Sequence, residues 1–196
     1  STTPGGLASD GEVEDYRLIV TENLPLGTPF LCDSTFYITV GPSDTSQQLF
    51  DVDRSGTTFT FNTIGPATDV AGGYPHNLDY NALAYNPVDN FIYAFVNASD
   101  STTGPYAPGN VVKIGSDGIL HSLGVPTGGT LDSNYYAAAI LSDGTYVIGG
   151  GNKFATLDVS TTPPTITNSN TTVSGVSFTD FAVDPRNPVS VSGSEV

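Results

Sequence analysis

The sequence predicts an all-β fold made of β-propeller-like repeats, each a four-stranded antiparallel blade, with about three to four blades and the last one incomplete. Strand and turn residues dominate the composition, which has 25 Thr, 22 Gly and 14 Pro, and 16 Asp against four Glu. Two kinds of hairpin also alternate along the chain, and such alternation indicates a repeat. A β-sandwich, which likewise has many short strands, is the alternative.

The charge of the chain excludes two classes of partner. Five Lys and Arg stand against 20 Asp and Glu over 196 residues, a formal net charge of −15. Such a surface repels phosphate backbones and anionic lipid headgroups. The sequence has no apolar run long enough for a membrane-spanning helix. We therefore expect neither a nucleic-acid partner nor membrane insertion.

The first 29 residues differ from the rest. Residues 1–10 are a linker rich in Ser, Thr, Gly and Pro, and the next ten become strand-like, with Tyr16, Leu18 and Val20 on one face. We divide the chain into a linker with one extended strand, residues 1–29, and a propeller-like β domain, residues 30–196.

The first kind of hairpin joins a strand of small apolar residues to an aromatic strand through a polar turn. Its copies are Asn81–Phe95, Tyr136–Gly149 and the incomplete Phe178–Pro188. The alanines of the first strand suit the crowded centre of a propeller. They are Ala82, Ala84, Ala137–Ala139 and Ala182. A helix over Tyr135–Leu141 is an alternative, because Ala favours helix, but the run is short and Ser-Asp-Gly follows it.

The second kind of hairpin lies between these copies. Alternating apolar residues lead into a turn with Asp, Ser, Gly, Thr or Pro. Its copies are Leu49–Phe61, Val111–Leu123 and Phe154–Thr167. One hairpin of each kind makes a unit of four strands. The count gives a partial unit from Phe36 to Ile64, two full units and a beginning at Phe178.

Two family resemblances carry information on location. The peptide Gly11–Tyr16 resembles the closing strand of the GEVED domain, a β-rich module of large secreted bacterial surface proteins. Residues 30–190 are similar to an uncharacterised propeller-like domain of the same exported proteins. The motifs that carry this second resemblance are Cys32 with Phe36 and Tyr37, Leu49–Asp53, Asn81–Tyr93 and Asp180–Pro185.

These resemblances imply an extracellular, adhesin-like bacterial surface protein and no activity. We therefore expect a non-catalytic structural or binding module. Its partners would be other domains of the same long polypeptide or neighbouring copies, with glycans as a further candidate. A strand-donating subunit of an extracellular filament is an alternative. We also expect the chain to be a piece of a longer polypeptide, because it opens on the tail of a GEVED-like strand.

Long connectors suggest where a small or carbohydrate-like ligand would bind, since binding residues concentrate on loops. The candidates are Tyr74, Tyr80, Tyr106 and Asp132, all expected to be exposed. Asp51, Asp53 and Ser55 have the D-x-D-x-S-G order of a calcium loop. Calcium is thus the one cofactor considered, although the EF-hand glutamate is missing and a hairpin turn explains the pattern better.

Catalytic interpretations have less support. Cys32 is the sole cysteine, and no motif links it to His76 or His121. A carbohydrate-active hydrolase with a site in the propeller channel would need paired acids, for which Asp79 and Asp180 are the candidates. Asp89, Asp117, Asp143 and Asp184 recur at equivalent turns, which favours a role in the turns over one convergent site.

Overall fold

A computed structural model describes residues 27–31, 35–41, 47–65, 74–75, 77–132, 134–175, 177 and 179–182. The described residues form strands and turns, with no helix among them, and so none that could span a membrane. The strands are β1 (Phe36–Val40), β2 (Gln48–Ser55), β3 (Thr58–Ile64), β4 (Asp79–Asn86), β5 (Phe91–Ala98), β6 (Val111–Ile114), β7 (Leu120–Gly124), β8 (Ala137–Ile140), β9 (Thr145–Gly150), β10 (Lys153–Asp158) and β11 (Thr165–Thr172).

These strands form three antiparallel sheets, each made of consecutive strands. The first sheet contains β1–β3, the middle sheet β4–β7 and the third sheet β8–β11. Two four-stranded units and a partial unit from Phe36 to Ile64 were predicted, and all three are confirmed. The described sheets are blade-like units that do not close into a ring.

The middle sheet is buried on both faces because the other two sheets cover it. Seven of the eight residues of β5 are buried. Phe91, Tyr93 and Phe95 pack into a core shared with the third sheet. The alternate residues Ile92, Ala94 and Val96 pack into a core shared with Leu49 and Tyr37 of the first sheet. A continuous apolar strand such as β5 is what burial on both faces requires.

Small residues let the middle and third sheets approach closely. Strands β4 and β8, the first strands of their sheets, pack against each other. Ala82, Ala84 and Ala137 are buried, as expected for the centre of a propeller-like stack, whereas Ala138 and Ala139 are only partly buried. The fully buried Tyr146 of the third sheet donates its phenol proton to the carbonyl of Ala82 at 2.5 Å. Ala182, by contrast, is exposed.

The structure corrects two predictions. The helix considered for Tyr135–Leu141 is wrong, because Ala137–Ile140 is the strand β8 paired with β9. A strand is expected over Phe178–Val183. Residues 179–182, the part of this segment that the structure describes, do not form one. Phe178, Val183 and the rest of that copy lie outside the described residues, as do Cys32, His76 and the predicted N-terminal strand.

Candidate functional site

A cleft of about 620 Å³ lies between the middle and third sheets. The β4–β5 turn, the β8–β9 turn and the β10–β11 loop surround it. Three carboxylates, one ammonium group and several hydroxyl groups reach it. They belong to Asp89, Asp143 and Asp158, to Lys113, and to Thr145, Ser160, Thr162 and Thr167.

The one cation among the described residues of the cleft is fixed by its neighbours. Lys113 Nζ lies 2.9 Å from Asp89 Oδ2, and only 14% of the lysine side chain is exposed. The same ammonium group lies 4.0 Å from the centre of the Phe91 ring. Tyr93 Oη donates to Asp89 Oδ2 at 2.6 Å. Burial, with help from the Asp89 charge, raises the pKa of Tyr93, so its phenol remains a donor at neutral pH.

The carboxylates of the cleft also hold the turns. Asp89, Asp143 and Asp158 each accept the backbone N–H two residues later, at 3.3, 2.9 and 2.9 Å. Asp117, at the β6–β7 turn, does the same at 3.1 Å. The Ser160 hydroxyl and backbone N–H lower the pKa of Asp158 by stabilising its ionised form.

The predicted role of the recurring aspartates is therefore confirmed for Asp89, Asp117 and Asp143, while Asp184 lies outside the described residues. Sequence reasoning did not predict that two of them would meet at one cleft. Their positions at equivalent turns of neighbouring units were the signal. Lys113, Ser160 and Thr162 had no comparable signal, because nothing in their local sequence separates them from other strand and loop residues.

The predicted ligand-binding residues do not form one site. Tyr74 and Tyr106 meet edge to face, with ring centres 5.2 Å apart. Both bond the backbone of Leu120: Tyr74 Oη accepts from its N–H at 2.7 Å, and Tyr106 Oη donates to its carbonyl at 3.0 Å. Burial raises the pKa of Tyr74 to about 12. These tyrosines thus anchor a connector to the middle sheet.

Tyr80 and Asp132 lie elsewhere. The expectation that Tyr80 is exposed is wrong: it is only 1% exposed, because its position in β4 turns it into the core beneath the first sheet. Asp132 is exposed and accepts from Lys153 Nζ at 2.7 Å. Its backbone N–H donates to Tyr135 Oη at 2.9 Å, which places it beside the third sheet.

The candidate calcium residues lie within a strand. Asp51, Asp53 and Ser55 belong to β2, and the hairpin turns at Gly56 instead. Asn62 Nδ2 donates to Asp51 Oδ1 at 2.7 Å and to Asp53 Oδ2 at 2.9 Å, so one amide already bridges the two carboxylates. No group of three or more His, Cys, Asp or Glu in the described part of the chain is arranged to hold a metal ion. Calcium binding stays a prediction.

The two acids considered for hydrolysis have different surroundings. Asp79 is partly buried and accepts from Gln47 Nε2 at 2.8 Å, and burial raises the pKa of Asp79. Asp180 is exposed and accepts the N–H of Phe181 at 2.8 Å. No hydrogen bond between described residues joins the two carboxylates.

Comparison with known proteins gives a family and no function. A family model described as a repeat of unknown function (DUF6923) matches residues 37–186. The match runs from β1 through all three sheets to Arg186. No curated protein matches the chain.

Proposed function

The chain belongs to the DUF6923 family of repeats, and on that premise we propose that it is a non-catalytic structural and binding module of an extracellular bacterial surface or adhesin-like protein. The observation that carries the proposal is that the aspartates at the turns form hydrogen bonds that hold those turns. Four carboxylates that could have served chemistry each hold a backbone N–H in a turn. These four aspartate side chains therefore stabilise turns of the scaffold.

The stack of sheets supports a structural role. Each unit buries one face against the next, so units of this kind can be added in one direction without a new kind of contact. The acidic composition supports a location outside the cell, where the protein is exposed to solvent. A net charge of −15 favours solubility and opposes non-specific association. The likeness of Gly11–Tyr16 to the GEVED domain supports an extracellular bacterial protein.

The cleft between the middle and third sheets is the proposed binding site, and its chemistry suits a small neutral polyol or carbohydrate. Lys113 and Asp89 neutralise each other, which leaves Asp143 and Asp158 as acceptors and the Thr162 hydroxyl for further hydrogen bonds. Val88 and Val159 supply apolar surface in the same cleft. Hydrogen-bonding groups beside apolar surface are common in small-molecule sites.

A matched pair of variants tests the binding role. An array of bacterial and host oligosaccharides is probed with the chain and with Asp143→Asn, which keeps the turn acceptor but removes a carboxylate from the cleft. We expect affinity for the bound glycan to fall about tenfold, because a hydrogen bond to a charged group is lost. Asp117→Asn makes the same change in a turn away from the cleft and should bind like the unmodified chain.

Two results would contradict the proposal. If no oligosaccharide binds, the module is only a spacer. If both variants bind equally well, the module binds a glycan but the cleft is not the site. Turnover of a glycoside substrate that is lost in Asp180→Asn would instead support the hydrolase. Antibody labelling of intact producing cells tests the location, and label that appears only after permeabilisation would contradict the surface role.

A further inference from the structure

The cleft between the middle and third sheets contains one carboxylate whose two oxygens are already used by the protein. Asp89 Oδ1 accepts the backbone N–H of Phe91 at 3.3 Å. Asp89 Oδ2 accepts from Tyr93 Oη at 2.6 Å and from Lys113 Nζ at 2.9 Å. Asp89 therefore holds its protein neighbours and is not the acceptor that a ligand meets.

The other two carboxylates of the cleft each keep one oxygen for a ligand. Asp143 Oδ1 accepts the N–H of Thr145 at 2.9 Å. Asp158 Oδ1 accepts the N–H and the hydroxyl of Ser160, at 2.9 and 2.6 Å. In the part of the chain that the structure describes, the Oδ2 atoms of both aspartates have no hydrogen-bond donor. They are acceptors for N–H or O–H groups of a ligand.

Lys113 supplies a donor at a fixed place in the same cleft. Its ammonium group contacts Asp89 Oδ2 and the face of the Phe91 ring, 4.0 Å from the ring centre. An ammonium group has three N–H bonds. The two contacts with described residues occupy two of these bonds and leave one for an acceptor on the ligand. Because both contacts already hold the side chain, ligand binding costs little of its rotamer freedom.

Apolar side chains line the cleft beside these polar groups. Val88, Leu123 and Val159 all face it. Leu123 and Val159 are buried in the core that the two sheets share, whereas Val88 is 62% exposed. A small alkyl group of a ligand would remove water from the Val88 side chain, which is favourable.

The charge of the cleft disfavours acidic ligands. Its described residues include three aspartates, Asp89, Asp143 and Asp158, but one lysine, Lys113. The hydrogen bonds from Ser160 lower the pKa of Asp158 and keep that carboxylate ionised. The excess of carboxylates repels an anion.

We infer that the ligand of the cleft is a neutral N-acetylated amino sugar. The acetamide carbonyl accepts from Lys113, and the acetamide methyl group covers Val88. The amide N–H and the ring hydroxyl groups donate to the Oδ2 atoms of Asp143 and Asp158. Glucose, which has a hydroxyl group in place of the acetamide, lacks the carbonyl and the methyl group. This inference rests on the proposed binding role of the cleft and names its ligand class.

Titration of three sugars, followed by NMR chemical shifts of the full chain, tests the inference without any variant. N-acetylglucosamine should bind at least about tenfold more tightly than glucose, because it adds a hydrogen bond to an ammonium group and a buried methyl group. N-acetylmuramic acid, a sugar of bacterial cell walls, carries the same acetamide and a carboxylate. It should bind less tightly than N-acetylglucosamine, so this comparison separates cell-wall polymers from neutral glycans as the source of the ligand.

A matched pair of lysine variants then assigns the preference to the cleft. Lys113→Met removes the ammonium group and keeps a side chain of similar length. It should weaken binding of N-acetylglucosamine about tenfold and binding of glucose less than about threefold. Lys153→Met breaks the ion pair with Asp132, which lies outside the cleft, and should leave both affinities unchanged.

Three results would each overturn the inference. They are equal affinity for N-acetylglucosamine and glucose, a preference that survives in Lys113→Met, and tighter binding of N-acetylmuramic acid than of N-acetylglucosamine. The proposed function can fail separately. Binding of other oligosaccharides that Asp143→Asn weakens would leave the cleft as a binding site for a different ligand, whereas the absence of any glycan binding would overturn both proposals.

Discussion

An aspartate side chain accepts a backbone hydrogen bond in the same way in four turns of the chain. Its short carboxylate accepts the N–H two residues later in the turns at Asp89, Asp117, Asp143 and Asp158. A longer glutamate side chain cannot make this local bond as well, so these four turns favour Asp over Glu. This role could be predicted from composition. The meeting of Asp89 with Lys113 across the sheet could not, because it depends on the pairing of β5 with β6.

The Tyr146 hydroxyl forms a hydrogen bond between the third sheet and the middle sheet. We expect Tyr146→Phe to lower the free energy of unfolding by about 1–3 kcal/mol, because the Ala82 carbonyl loses its donor in a buried place. Chemical denaturation measures the change. Tyr136→Phe removes a hydroxyl from a side chain that is 47% exposed and should change stability by less than about 0.5 kcal/mol. Equal effects would mean that the hydrogen bond between the sheets does not form.

At the scale of strands and turns, two glycines set the contact between the first and middle sheets. A Cβ at Gly118, in the β6–β7 turn, would lie 2.6 Å from the backbone of Gly65, which follows β3. Gly118 also has a φ of +70°, a conformation that L side chains rarely adopt. Both the turn and the contact therefore require glycine.

A comparison of two glycine variants isolates this contact. Gly56 has a φ of +62°, but a Cβ added there would have no other atom within 4 Å, so Gly56→Ala should cost only about 1 kcal/mol of unfolding free energy. Gly118→Ala should cost roughly 2–4 kcal/mol, because backbone must also move. Urea denaturation of both variants measures the difference. Equal losses would contradict the close approach of the first and middle sheets.

The hairpins could be predicted from sequence because alternation and turn residues act locally. Two features of these elements could not. Tyr80 resembles an exposed loop tyrosine until the first sheet is placed over β4. Asn97 bonds both the N–H and the carbonyl of Tyr135, at 3.0 and 2.9 Å, and joins the end of β5 to the segment before β8. Such contacts depend on how sheets stack, which local periodicity does not specify.

At the scale of the whole molecule, the three sheets form a stack in which the middle sheet is protected and the first is open. Strand β5 has paired neighbours on both edges and cores on both faces. Among the described strands, β1 and β3 lie at the two edges of their sheet, and one face of that sheet carries exposed apolar side chains. The middle sheet should therefore open less readily than the first sheet, because local opening is rarer where residues are buried and hydrogen-bonded.

Hydrogen–deuterium exchange of the chain tests this stack most directly. The amides of Phe91–Val96 should exchange slowest, at the rate of global unfolding. Those of Phe36–Val40 and Thr58–Ile64 should exchange at least about tenfold faster. Exchange of Phe91–Val96 as fast as that of β1 and β3 would contradict a middle sheet covered on both faces, and with it the stacked-repeat architecture of this protein.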